Sequence, residues 1–346
     1  MNTTVTVPRT ETEDYAALRT AIGVYQITAP LVRISGDARM ELLDRFLAKS
    51  AEFVEQDTVR EVLSLSADGT PFAILLHFEI GEETWLLPRT HVTAEALLAY
   101  LEGQEPADGV TIEVAPEGWG ATAFEGPRAW SAAAEFVDFD ISGLTLHAVT
   151  ESAIASEPAA LAYLARVGTT GEYGYLLISN APHTAHEAVV AAVEAQGGTQ
   201  VGTLGLARVQ AEAGTGAYHN GFAELKVDEA DLGWMIDWNR IGEFHGSDNL
   251  VQPTIETARL TALAAPAGSR FAPGSAVKAG DVTVGTVSWQ APSANPEEEL
   301  LYALLNAPFW VPGLELTVED EAHADRRTRT ATLPRVIARS LTVKIS

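Results

Sequence analysis

His77 stands in the apolar run FAILLHFEI, where an ordinary pKa of about 6.5 suits it to move a proton near neutral pH. A hydrogen-bonded structural histidine on a strand is the plainer alternative. Tyr218-His219-Asn220-Gly221 sets three hydrogen-bonding side chains on a glycine-containing loop, a grip for a substrate, with His219 a second catalytic candidate. A turn using Asn220-Gly221 as its positive-φ pair accounts for two of those residues without any ligand. Arg89 closes WLLPR and is either a cation that holds a ligand carboxylate or a solvated strand-end arginine. The stretch LGWMIDWNR gathers Trp234, Asp237, Trp238 and Arg240, where a planar heterocycle can stack, although tryptophans at i, i+4 are also an ordinary packing pair. His183 and His186 have helical i, i+3 spacing but no third ligand, so a solvated first helical turn explains them better than a metal.

What is missing narrows the chemistry further. With no cysteine there is no disulfide, thiolate metal site, iron–sulfur ligation or cysteine nucleophile. Phosphate-loop, dinucleotide-glycine and G-x-S-x-G patterns do not occur. The chain carries 47 acidic against 22 basic residues, a net charge of −25 that repels phosphates. Nucleic acid and anionic membrane surfaces are therefore not expected partners. Apolar runs such as Phe72–Leu76 stop far short of the ~20 residues of a membrane span. The polar start MNTTVTVPRTETEDY lacks the regions of a signal peptide, so a cytoplasmic location is expected.

The elements that must position these groups follow a repeated order. TETEDYAALRTAI reads as a helix ending near Gly23, and PLVRISG reads as a strand. DARMELLDRFLAKS is a helix with Asp37 expected at its N-cap. REVLSLSADGTPFAILLHFEIGEETWLLP is a meander cut by Asp68-Gly69 and Gly81-Glu82, and HVTAEALLAYLEGQ is a helix closed by Gly103. Strand–Gly–helix occurs at Ser35-Gly36-Asp37 and again at Glu125-Gly126-Pro127, which predicts two related α/β units. Beyond Leu250 the texture changes to short strands with many Gly and Pro turns, a small antiparallel barrel or sandwich. At ~150 residues per domain, the length of 346 agrees with such a division.

The run Arg166-Val167-Gly168-Thr169-Thr170-Gly171-Glu172-Tyr173-Gly174-Tyr175 resembles the R-x-G-Y-T-G-E-x-G-[FY] signature of the glycine cleavage T-protein, or aminomethyltransferase, family. Glu212-Ala213-Gly214 with Tyr218-His219-Asn220-Gly221-Phe222 is similar to its E-A-G…Y-G-x-E-[ML] segment. Leu232-Gly233-Trp234, Phe244-His245-Gly246 and Gly285-Thr286-Val287-Ser288 follow in the family's order, and Ala17-Leu18-Arg19 and Ile34-Ser35-Gly36-Asp37-Ala38 precede them. The resemblance implies an α+β fold of three domains in a cloverleaf around a central hole. Two related α/β units, residues 1–250, carry a folate-binding region, and residues 251–346 form a C-terminal antiparallel β-barrel.

It also implies one-carbon transfer on or off tetrahydrofolate, with a small-molecule substrate entering the hole. On this reading Arg89, Glu172, Tyr175, Leu176, Arg208, Tyr218, Asn220 and Trp234 surround the cofactor, and His77, His219 and Glu212 are the catalytic candidates. Glu172 and Glu212, at family positions, are expected to support the architecture through backbone hydrogen bonds as much as the ligand. Three family positions are changed. The strand of the reactive aspartate reads Ala73-Ile74-Leu75-Leu76, the pterin-holding glutamate is Leu176, and a helix arginine falls at Leu206 unless a gap brings in Arg208. The arginine two residues before Glu212 is Gln210. A glycine-cleavage role with a lipoyl carrier protein is therefore not expected. Two other readings keep the scaffold. One is an enzyme, for instance of secondary metabolism, using an apolar cavity lined by Leu176, Leu206, Ile74 and Trp234 without folate. The other is a non-catalytic binding protein.

Overall fold

The computed structural model describes residues 9–52, 54–215, 225–319 and 325–345. Helix α1 (Glu11–Thr20) begins where Thr10 and Glu13 cap each other's backbone, and it leads into strand β1 (Gly23–Ile27). The first unit runs β2 (Val32–Ser35), α2 (Arg39–Phe46), β3 (Thr58–Leu65), β4 (Pro71–Ile80), β5 (Glu83–Pro88), α3 (Ala94–Glu102) and β6 (Thr111–Val114). The second runs β7 (Gly120–Glu125), α4 (Ala129–Ala133), β8 (Val149–Ser152), β9 (Ala162–Ala165), β10 (Gly174–Ser179), α5 (Pro182–Ala195) and β11 (Thr199–Gln200).

The sheets confirm that the units are related. Their orders are β3-β4-β5-β2-β6 and β8-β9-β10-β7-β1-β11. Thus β1, although it precedes both units, holds in the second sheet the place of β6 in the first. The two strand–Gly–helix turns are equivalent at atomic detail. A Cβ on Gly36 (φ 109°) would lie 2.2 Å from the Gly109 carbonyl oxygen, and one on Gly126 (φ 141°) 2.4 Å from that of Ala21. Glycine is required at both because backbone fills the space and φ is positive. Asp37 does not cap α2: the N-cap is Ala38, without a side-chain bond.

The two sheets stack face to face. Leu76, Phe78, Trp85 and Leu87 of the first meet Ala121, Ala123, Leu176 and Ile178 of the second. The outer faces are covered by α2 and α3 through Leu42, Leu43, Phe46 and Leu97, and by α4 and α5 through Ala129, Ala132, Val189 and Val193. Each large buried aliphatic or aromatic side chain here contributes roughly 1.5–3 kcal/mol.

Helix α6 (Thr203–Ala213) then packs on α1, closely enough that a Cβ on Gly205 would meet that of Asp14 at 2.5 Å. A closed antiparallel barrel follows, formed by β12 (Arg259–Pro266), β13 (Ala276–Ala279), β14 (Val282–Gln290), β15 (Glu298–Leu305), β16 (Glu315–Val318) and β17 (Arg326–Thr330). The barrel strands end at Thr330, and the following tail returns to the second unit, where Tyr173 donates to the Val343 carbonyl at 2.8 Å and Ile345 joins the core.

Candidate active site

A cavity of about 950 Å³ opens where the stacked sheets meet α6 and the start of α3. Strand parity decides its wall. On β4, Leu76 faces the second sheet, and on β10, Leu176 does the same. On α6, Thr203, Leu206, Ala207 and Gln210 follow helical spacing along one face and all line the cavity. Leu31, Leu87, Trp119 and Val167 complete a mainly apolar surface.

Titratable side chains interrupt it at Tyr25, Arg89, His91 and Glu125. Glu125 is buried and accepts five hydrogen bonds: from the Tyr25 hydroxyl at 2.5 Å, the Thr169 amide and hydroxyl at 2.8 Å each, and the Thr170 amide and hydroxyl at 2.9 and 2.7 Å. Burial, then the Glu125 charge, pushes the Tyr25 phenol far up, so it remains a donor. The turn that supplies the threonines reaches Glu125 only because Gly168 and Gly174 have no side chains. A Cβ on Gly168 would meet Glu125 Oε2 at 2.7 Å, and one on Gly174 the Gly168 Cα at 2.4 Å.

Arg89 does reach the cavity. Its Nη2 donates to the Gly168 carbonyl at 3.1 Å, and its Nε lies 2.9 Å from Glu61 in an ion pair without hydrogen-bond alignment. The other predicted site residues that are described are placed elsewhere, with Leu176 the exception. His77 has the parity of Leu75, not Leu76, and is buried on the helix-facing side of the first sheet. Its Nε2 is 2.8 Å from Glu79 Oε1, and its Nδ1 is 3.4 Å from Arg60 Nε. Burial holds its pKa below the usual histidine range, against the opposing pull of Glu79. This is a structural histidine, and its catalytic assignment is corrected.

Glu212, Arg208 and Glu172 belong to the junction of the domains. Glu212 accepts from Arg208 Nε at 2.9 Å, Arg19 Nη2 at 3.0 Å, the Tyr15 hydroxyl at 3.0 Å and Asn295 of the barrel at 3.0 Å. Arg208 also donates to the Glu298 carbonyl at 2.9 Å, so the cavity position in this helix is Leu206 and no register gap substitutes Arg208. Glu172 accepts from the backbone amides of Arg339 and Ser340 at 3.1 and 2.9 Å, tying down the tail. Tyr175 packs beside Phe124 in the core behind the second sheet, where burial pushes its phenol up to about 12. Trp234 is 57% exposed under Lys49, and Ile74 packs with Leu63 and Met235, so neither lines the cavity. Tyr218, His219 and Asn220 lie outside the described residues.

Sequence reasoning missed Glu125, Tyr25, Thr169 and Thr170. A signal was present, since period-two alternation puts Glu125 on the same strand face as Ala121 and Ala123. Among the described residues no helix is long and apolar enough to cross a membrane.

A family model described as the GCVT N-terminal domain matches residues 6–240. The aminomethyltransferase of Saccharopolyspora erythraea is 26% identical over 313 residues, covering 88% of this chain and 84% of the relative. That of Thermus thermophilus is 28% identical over 215 residues, covering 61% of this chain and 60% of the relative. The crystal structure of aminomethyltransferase T of the glycine cleavage system from Bartonella henselae superposes with a TM-score of 0.77 at 18% identity, covering 96% of this chain and 91% of that one. With its model matched over most of the chain and its fold reproduced throughout, the chain belongs to the aminomethyltransferase family.

Proposed function

We propose that the protein is a group-transfer enzyme of the aminomethyltransferase type that works in its central cavity on a largely apolar organic substrate. The chemistry of the family is one-carbon transfer with tetrahydrofolate as carrier. A pterin presents amide and amino N–H donors along one edge, and a carboxylate is their natural acceptor. Leu176 stands where the family resemblance puts that carboxylate, and Glu125, the one carboxylate lining the cavity among the described residues, already holds five donors. The residues present do not fit the pterin in the family pose.

The observation that carries the proposal is the wall itself: Leu76, Leu176 and Leu206 in a cavity of about 950 Å³. Such a surface gains ~25 cal/mol for each Å² of apolar ligand it removes from water, and leaves unpaired the polar edge of a ligand that needs partners. A second reading, tetrahydrofolate-dependent one-carbon transfer, is favoured by Arg89, which suits a folate tail carboxylate. Native mass spectrometry of the purified protein, alone and with sub-millimolar tetrahydrofolate, separates the two. The expected result is a retained ligand rich in hydrocarbon and no folate adduct; a saturating folate adduct overturns the proposal in favour of the second reading.

A further inference from the structure

We propose that Arg89 sets the ligand class of the cavity: an apolar body carrying one carboxylate. This rests on the cavity being the substrate site. The Arg89 side chain has a relative exposure of 8%, and its Nη1 is buried without a hydrogen-bond partner. A guanidinium offers five donors in a rigid fork, and a buried one left partly unpaired calls for an acceptor. The cavity lining has side-chain acceptors, among them Gln26, Thr28, His91 and Gln210, but none of them is hydrogen-bonded to Arg89 Nη1. A ligand carboxylate supplies the acceptor that Nη1 lacks.

The rest of the geometry fixes the guanidinium for that purpose. Nη2 donates to the Gly168 carbonyl at 3.1 Å, and the N–H of the same peptide bond, on Thr169, donates to Glu125 at 2.8 Å. One peptide unit thus stands between the cation and the clamped carboxylate, and holds Arg89 in place before any ligand arrives. Glu61 neutralises the cation incompletely, because its own side chain is 23% exposed and shared with solvent. Glu125 behind the peptide and the net charge of −25 oppose a second anionic group. The site suits a monoanion on a hydrocarbon frame, and disfavours polyanions.

The test is calorimetric titration of 2-naphthoate and its neutral isostere 2-naphthamide into the intact protein and into Arg89→Leu and Arg89→Gln. Arg89→Gln keeps a donor for the Gly168 carbonyl, so it preserves the fold if Arg89→Leu does not. The acid is expected to bind about tenfold or more tighter than the amide to the unaltered protein, with the preference abolished in both variants while amide affinity changes little. Equal affinity for acid and amide, or an acid preference that survives in a folded variant, overturns the inference and leaves the apolar cavity standing. Binding of neither probe overturns the inference as well, and a simultaneous folate adduct identifies that as a failure of the cavity reading.

Discussion

The junction of the three domains and the central cavity treat buried polar groups in opposite ways. At the junction, Glu212 alone joins Arg19 and Tyr15 of α1, Arg208 of α6 and Asn295 of the barrel, while Glu172 holds the tail. In the cavity, Leu76, Leu176 and Leu206 offer nothing but surface, and Glu125 spends its lone pairs on Tyr25, Thr169 and Thr170. The residues that carry the family resemblance most strongly, from Arg166 to Tyr175 and around Glu212, are mainly the ones that assemble the scaffold. Retaining them preserves the architecture and says little about the ligand, which is decided by a different and altered set of side chains.

Substitutions at the junction should therefore move stability without changing what the cavity binds. Glu212→Ala leaves Arg208 an unpaired buried charge and Arg19 only its longer ion pair with Glu172 at 3.6 Å, and should lower the unfolding free energy by about 3–5 kcal/mol in urea titration, with the acid-over-amide preference intact. A loss of that preference at full occupancy by folded protein breaks the separation. Gly168→Ala tests the place where the two regions meet. Its Cβ would press on Glu125 Oε2 at 2.7 Å and on the Gly174 Cα at 2.9 Å, so about 1–3 kcal/mol of stability and part of the ligand affinity should fall together.

A smaller effect is expected at His77, which belongs to neither region. Its folded pKa is depressed by burial, so the unfolded chain takes up a proton that the folded chain does not. The stability linked to this group is complete above about pH 6.5 and is lost as the pH falls toward the depressed value, at up to about 1.4 kcal/mol per pH unit. His77→Gln should flatten the pH dependence of the urea midpoint in that window and leave ligand binding unchanged. Trp234→Ala, at a 57% exposed position, should shift stability by no more than about 0.5 kcal/mol and leave the cavity untouched; a large loss of ligand binding would return Trp234 to the site.

Much of this could be read from the chain. Gly36 and Gly126 announce the repeat because only glycine tolerates both the positive φ and the carbonyl facing it. The changed positions Leu176 and Leu206 follow from alignment of motifs and do line the cavity. The misplacements have physical causes. His77 was read by composition of its strand, whereas its partner at i+2, Glu79, shows which face it shares and what it bonds. Glu125 was read as part of a turn although strand parity turns it inward. The tail beyond Thr330 has no periodic pattern, and the contacts that dock it include two backbone amides on Glu172, the Tyr173 bond, Ile345 and the Arg335–Glu298 pair, none of which local sequence reports.

Calorimetric titration of tetrahydrofolate into the unaltered protein tests most directly whether the scaffold has been kept while the pterin site has been lost. With Leu176 in place of the acceptor carboxylate and Glu125 fully engaged, no saturable heat is expected at sub-millimolar concentration. Saturation in that range, competed by the 5-methyl form, would contradict it.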